Sequence, residues 1–339
     1  MLTFASPRQT AHDPARELMN GGWMNHAETP ARFASMLAAL PGEARAPADH
    51  GLAAILAVHD PDYVAFLECA HAQWLAAGRE GDAIGYAFPV RGRRPLTLDR
   101  IDAKLGRYGF DAGTPITAGS WEAAYWGAQA ALGAFEAVAA GEVRQAFALC
   151  RPPGHHAGAD YYGGYCYLNN AAIAARAAAY RGMGPVAVLD VDYHHGNGTQ
   201  DIFYEDAEVL FVSIHADPVM DYPYYWGHAD ERGAGAGKGA TLNLPLARGT
   251  IWAGYERALG TALAAVAAFA PRTLIVSYGA DTFATDPISH FRLTTDDMHR
   301  IGAGIASLAL PTVTVMEGGY DVAALGRNVA AFLAGLEGG

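Results

Sequence analysis

The chain has 339 residues, 51% of them hydrophobic and 17% charged, with a net charge of −12. This composition supplies a large core and excludes a disordered chain, while the acidic balance excludes a basic nucleic-acid surface. Three cysteines, Cys69, Cys150 and Cys166, have no CxxC spacing, which excludes a disulfide framework and a cysteine-built zinc site. No apolar run is long enough to span a membrane. The amino-terminal stretch MLTFASPRQTAHDPARE has no apolar region of a secretory signal, so the expected setting is the cytoplasm.

Residues 1–30 read as loop, with Gly21-Gly22 and Trp23. Pro30 suits the first turn of a helix over 31–40. Asp60-Pro61 is a clearer start, a cap followed by proline, for a helix running to Gly78; His59, just before it, reads as structural. Residues 79–118 carry Gly, Pro, Arg and scattered aromatics with weak periodicity, the pattern of a loop excursion towards a partner subunit or a substrate mouth. From Ser120 the pattern is regular. Helices are expected over 120–141, 170–180, 250–269, 295–308 and 322–336. Strands are expected over 146–150, 186–192, 209–214, 242–246, 273–277 and 312–316. Strands alternating with helices indicate an α/β fold with a central, mostly parallel sheet flanked by helices. The whole of 1–339 reads as one catalytic domain, with the excursion at about 79–118.

Chemically capable residues follow the strands. Arg151-Pro152-Pro153-Gly154-His155-His156 follows the first, Asp192 and His194 the second, His215 and Asp217 the third. Gly279-Ala280-Asp281 and Glu317-Gly318-Gly319-Tyr320 follow the last two. Ligands bind at the carboxyl ends of strands in open α/β sheets, so five loops should converge there. In Asp190-Val191-Asp192-Tyr193-His194-His195-Gly196-Asn197-Gly198, strand alternation puts Asp190, Asp192 and, if the extended geometry persists, His194 on one face; Gly196 and Gly198 then end the strand in a tight turn. Asp oxygen and His nitrogen are ordinary ligands of a divalent metal, and Asp192, His194 and Asp281 are the proposed set. Taken alone, Asp281 fits a turn residue equally well. The tandem His155-His156 offers a base near neutral pH, with Asp190 and Asn197 as the groups that orient the two imidazoles. Tyr320, on what reads as a flexible glycine hinge, is a candidate hydrogen-bond donor to a carbonyl oxygen. Gly164, Tyr165 and Tyr167 suit a close-approach turn and aromatic walls, and Cys166 reads as a small buried residue.

The stretches Arg151–His156, Gly164-Tyr165-Cys166-Tyr167-Leu168-Asn169-Asn170, Asp190–Gln200 and Glu317–Tyr320 resemble the signatures of the histone deacetylase family, in particular its bacterial members acting on acetylated polyamines and other small amides. The resemblance runs from about His59 to the carboxyl terminus. It implies an arginase/deacetylase-like fold, one catalytic Zn2+ per subunit, K+ as a structural ion, a homodimer and a small-molecule amide substrate. It implies that Asp192, His194 and Asp281 bind the zinc and that His156 is the general base. His155 is then its companion, paired with Asp190, and Asn197 is a neutral partner that leaves His156 less basic. Tyr320 polarises the scissile carbonyl, and Gly164, Tyr165 and Tyr222 line the channel. Asp102 is the nearest equivalent of an acidic residue that holds a distal ammonium.

The expectation is therefore a zinc-dependent deacetylase of an acetylated polyamine or acetyl-lysine-like small substrate. Three other readings stay open: hydrolysis of a small neutral amide, an arginase-like ureohydrolase with a second metal, and a non-catalytic small-molecule binding protein on the same fold. Tyr320 and the tandem histidine argue for deacetylation.

Overall fold

The computed structural model describes residues 1–90, 96 and 98–338. The amino-terminal 30 residues are not loop. They hold β1 (Leu2–Phe4), a 3-10 turn at Pro7–Ala11, and the antiparallel hairpin of β2 (Arg16–Met19) and β3 (Gly22–Asn25). Asn20 and Gly21, at φ 51° and 77°, form the turn, the left-handed pair that a two-residue hairpin loop requires. Then come α1 (Pro30–Ala39), the short α2 (Ala53–Leu56) and α3 (Pro61–Ala76). Asp60 caps α3 as expected, its side chain accepting from the amides of Asp62 and Tyr63. The excursion at 79–118 contains a helix of its own, α4 (Ile101–Tyr108), which buries Ile101, Leu105 and Tyr108; residues 91–95 and 97 lie outside the described residues.

The remaining elements are α5 (Ser120–Ala139), β4 (Gln145–Ala148), α6 (Asn170–Tyr180), β5 (Val186–Asp190), α7 (Asn197–Phe203), β6 (Val209–Ala216), β7 (Thr241–Leu246), α8 (Trp252–Phe269), β8 (Thr273–Tyr278), α9 (Thr295–Ala306), β9 (Thr312–Met316) and α10 (Val322–Glu337). Among the described residues one sheet has seven strands, in the order β1-β4-β9-β8-β5-β6-β7, and every pairing in it is parallel. Its strands are apolar on both faces, as a sheet covered on both sides requires. Val186 and Val188 of β5 pack with Ala131, Ala171 and Ala175 on the α5–α6 side. Ala187 and Leu189 pack with Leu259, Ile301 and Phe332 on the α8–α10 side. Each such Val or Leu contributes roughly 1.5–3 kcal/mol by leaving water. Among the described residues no helix is long and apolar enough to cross a membrane.

In this order the carboxyl ends of β4, β9, β8, β5 and β6 are adjacent, and the loops leaving them carry the candidate site.

Candidate active site and metal centre

β5 stops at Asp190, two residues earlier than the strand expected over 186–192. Beyond Asp190 the chain bends out of the extended conformation, and α7 starts at Asn197. Asp192 and His194 are therefore brought together by hydrogen bonds, not by strand alternation. Asp190 Oδ1 accepts from the Asp192 amide at 3.1 Å. Asp192 Oδ1 then accepts from the His194 amide at 2.8 Å. Gly196 and Gly198 serve close approach more than a turn. A side chain at Gly196 would overlap Asp190 Oδ2, and one at Gly198 the Ala157 carbonyl.

From β8, Asp281 completes the cluster. Its Oδ2 lies 3.0 Å from His194 Nδ1 and its Oδ1 accepts from the Tyr193 amide. One ligand atom from each of Asp192, His194 and Asp281 lies within 4.8 Å of the others. Asp192 Oδ2 accepts from the Gly318 amide at 2.8 Å. Gly279 and Gly318 form a cradle for the two carboxylates, since a Cβ on either would collide with them. Burial, joined by the neighbouring charge of Asp192, pushes Asp281 up to about 7. Burial also works against charge on Asp192, but His155 and His194 outweigh it and hold Asp192 well below the carboxylate range. For His194, burial is likewise outweighed by Asp192 and Asp281, which lift it to about 10. Two buried carboxylates sharing one imidazole proton are a site that a divalent cation balances. The donor set, two carboxylate oxygens and one imidazole nitrogen, fits such an ion and leaves room for a further ligand.

The tandem histidines differ sharply in charge. His155 Nδ1 is 2.9 Å from Asp190 Oδ2. Burial opposes its protonation, yet Asp190 and Asp192 raise it to about 10. His156 Nδ1 is 2.7 Å from Asn197 Oδ1. Burial, then the charges of His155 and His194, hold His156 well below the usual histidine range. The Asn197 amide nitrogen donates to the His156 carbonyl and to Tyr161 Oη, so its oxygen faces the imidazole. His156 Nδ1 therefore carries the proton and Nε2 keeps its lone pair. The two rings are 4.1 Å apart between centroids.

Tyr320 does not sit on a flexible hinge. It is buried, its amide donates to Asp286 at 2.7 Å, and the Arg32 guanidinium lies over its ring. Burial raises its phenol well above the ordinary value, so the hydroxyl stays a donor. Gly164 packs against the His156 ring, where a Cβ would collide with it. The Tyr165 ring lies 5.7 Å from that of Tyr320, and the Tyr222 ring 5.1 Å from that of His156. The three residues expected to line a channel thus stand beside the His156 imidazole and the Tyr320 phenol. The structure does not bring Asp102 to this group, because its carboxylate is held by Arg79 and Arg100. The acidic residue beside these rings is Asp111, whose Oδ2 accepts from the Gly164 amide at 2.7 Å and from Tyr222 Oη at 2.8 Å.

After β6, it is Tyr222 rather than His215 or Asp217 that reaches the site. His215 is buried against Gly227 O and Ser213 Oγ. His195 is buried against Gln200 and Asn243. His59 accepts from the Asn169 amide at 2.9 Å, the structural role expected of it. Burial raises the Cys166 thiol, which keeps it unreactive. Sequence reasoning missed Glu28 and Arg32, which form a buried ion pair at 2.6 Å behind Tyr320, with Arg151 at 2.9 Å from the same carboxylate. It also missed Glu17, a buried acidic residue whose Oε2 lies 4.0 Å from His26 Nε2, the ring that packs against Tyr165. The signal available was the Asn20-Gly21 turn, which marks the hairpin carrying Glu17.

Comparison with known proteins agrees with this geometry. The model of the histone deacetylase domain matches residues 26–336. Acetylpolyamine amidohydrolase 2 of Pseudomonas aeruginosa is 51% identical over 100% of this chain and 99% of its own. Acetylpolyamine amidohydrolase of Mycoplana ramosa is 46% identical over 95% of each. The crystal structure of acetylpolyamine aminohydrolase from Burkholderia pseudomallei superposes with a TM-score of 0.94 at 44% identity, covering 99% of this chain and 98% of that one. The HDA15 HD domain superposes at 0.83 and 26% identity, over 100% of this chain and 91% of its own. The fold is thus the arginase/deacetylase α/β fold, and the chain belongs to the histone deacetylase family.

Proposed function

We propose that the chain is a zinc-dependent amidohydrolase that removes the acetyl group from a small acetylated amine, with acetylated polyamines as its substrate class. The observation that carries this reading is the convergence of the Asp192–His194–Asp281 cluster, the neutral His156 and the Tyr320 phenol at one sheet edge. A zinc ion held by those three ligands would acidify a water and polarise the amide carbonyl. His156 does the proton work. With Nδ1–H tied to Asn197, its Nε2 takes a proton from the attacking water and returns it to the departing amine. His155, charged through Asp190, is a fixed cation beside it. Tyr320 donates a hydrogen bond to the carbonyl oxygen as that oxygen gains charge.

A cationic leaving amine is supported by the net charge of −12, by Asp111 beside Gly164 and Tyr222, and by the names of the relatives. We read 1–339 as one catalytic unit and the active form as a homodimer. Tyr86 and Val90 in the excursion are 74% and 70% exposed, apolar surface that a second copy would cover.

The test is hydrolysis by the zinc-loaded protein of N-acetylputrescine, an acetyl-lysine peptide and an uncharged N-alkyl acetamide, with chelator controls and metal counting. Chelator-sensitive turnover favouring N-acetylputrescine at one ion per chain is expected. Preference for the uncharged amide overturns the polyamine reading, and two ions per chain favour the ureohydrolase reading.

A further inference from the structure

One fully buried acidic side chain stands beside the site but outside the Asp192–His194–Asp281 cluster. Glu317 directly follows β9, with no exposure to solvent. Its Oε2 accepts from the amides of Gly154 at 2.6 Å and His155 at 3.1 Å, and its Oε1 accepts from the Ser277 hydroxyl at 3.1 Å. The carboxylate thus lies under the loop from which both catalytic imidazoles hang.

The loop is gripped from two sides. Its carbonyls are taken by the α7 side, where the Thr199 amide donates to His155 O and Asn197 Nδ2 donates to His156 O. Its amides at Gly154 and His155 are taken by Glu317. The segment that carries Glu317 also holds the other half of the site. The Gly318 amide bonds Asp192, the Tyr320 amide bonds Asp286, and Arg32 bonds the carbonyls of Glu317 and Gly319. One short stretch therefore registers the imidazole loop against the metal cluster and the phenol.

We propose that Glu317 is a positioning residue for amide hydrolysis, its side chain holding the Gly154 and His155 amides and so fixing where His156 stands relative to Asp192, His194 and Tyr320. It touches neither substrate nor metal, and its role rests on the protein being an amidohydrolase. What matters is an acceptor at the right distance, not the charge. Both loop amides bond to one oxygen, so a glutamine amide oxygen can replace it while its NH2 faces Ser277 Oγ. Losing the acceptor leaves two buried amides without a partner, and misplacing a proton-transfer group by about 1 Å costs roughly a hundredfold in rate.

The experiment uses the full, zinc-loaded chain with Glu317→Ala, Glu317→Gln and Glu317→Asp, assayed on the best wild-type substrate, with metal content and amide exchange of residues 152–157 measured alongside. Glu317→Ala should lose about a hundredfold in kcat with KM within about threefold, keep its metal, and exchange the Gly154 and His155 amides faster. Glu317→Gln should stay within about fivefold of wild type. Should the alanine variant fail to fold, the other two decide. Aspartate keeps the charge but withdraws the oxygens by one methylene, so it must be slower than glutamine. An aspartate variant as fast as the glutamine one, or a folded alanine variant with wild-type kcat and unchanged exchange, overturns the proposal. A wild-type protein that hydrolyses no amide sinks the amidohydrolase reading instead, while the exchange result still judges the clamp.

Discussion

The Arg32 guanidinium lies 4.8 Å from the centre of the Tyr320 ring, and both residues are buried. The cation is held in place by its hydrogen bonds. Its Nε donates to Gly319 O, and its terminal nitrogens donate to Glu317 O and Glu28 Oε1, each at 2.6 Å. It thus fixes the backbone on both sides of the Gly-Gly pair and one face of the phenol. Arg32→Ala should cost about 3 kcal/mol in urea unfolding, because Glu28 is left buried with Arg151 as its remaining guanidinium. It should also lower kcat. Arg32→Lys should restore little, since an ammonium cannot reproduce the planar fork that meets three acceptors. Equal stability of the lysine variant and wild type would show that the fork geometry is not what counts.

Tyr320→Phe removes a hydroxyl that burial keeps protonated and leaves Asp192, His194 and Asp281 unchanged. Loss of one such donor costs roughly 10²–10³ in kcat. Metal content should stay at the wild-type level. Near-wild-type turnover in steady-state assays would remove Tyr320 from the mechanism.

Asn197 offers His156 a neutral oxygen 2.7 Å from Nδ1, which supports the proton there less than a charged partner would. Asn197→Asp replaces that oxygen with a carboxylate, which stabilises the imidazolium. A base must be unprotonated to act, so activity falls on the acid side of its pKa. Raising that pKa should move the acidic limb of the kcat/KM profile to higher pH, by about one unit. A limb that stays in place would mean that His156 does not titrate in it.

How much of the site is legible in the sequence depends on the distance between interacting residues. Asp190, Asp192, His194 and Asn197 lie within eight positions, so their residue types alone suggest a metal site. The strand ends carrying His155, Asp281 and Tyr320 are readable because each comes after a β-branched or apolar run. The Glu28–Arg32–Arg151 cluster is not readable in that way. Arg151 meets Glu28 across more than a hundred residues, in a segment whose short strands and polar residues look like solvated loop. The exchange of Asp102 for Asp111 has a similar cause. Asp102 sits in the first turn of α4, a helix with Gly106 inside it. That glycine weakens the helical pattern, but it lets α4 approach the Ala87 carbonyl, which a side chain there would overlap. With the helix unread, nothing in the sequence tells which acid stands beside Gly164 and Tyr222.

Glu17 and His59 should make stability depend on pH in opposite senses. Burial pushes Glu17 up to about 7 from 4.5. Its stabilising contribution, that of a protonated acid, is full below 4.5 and is lost as pH rises through 7. Above that, ionisation favours the unfolded chain by about 3 kcal/mol. Glu17→Gln stays neutral throughout, so relative to wild type it should gain stability between pH 4.5 and 7. Burial pushes His59 down to about 4 from 6.5. Its contribution, that of a neutral imidazole accepting from Asn169, is full above 6.5 and is lost as pH falls through 4. His59→Gln keeps an acceptor but cannot titrate. Its cost relative to wild type should be greatest above pH 7 and shrink by about 1.4 kcal/mol for each pH unit below 6.5. Urea unfolding of the two variants and wild type at pH 5 and pH 8 separates the trends. If both variants shift in the same direction, a global charge effect is operating rather than the burial of these two groups.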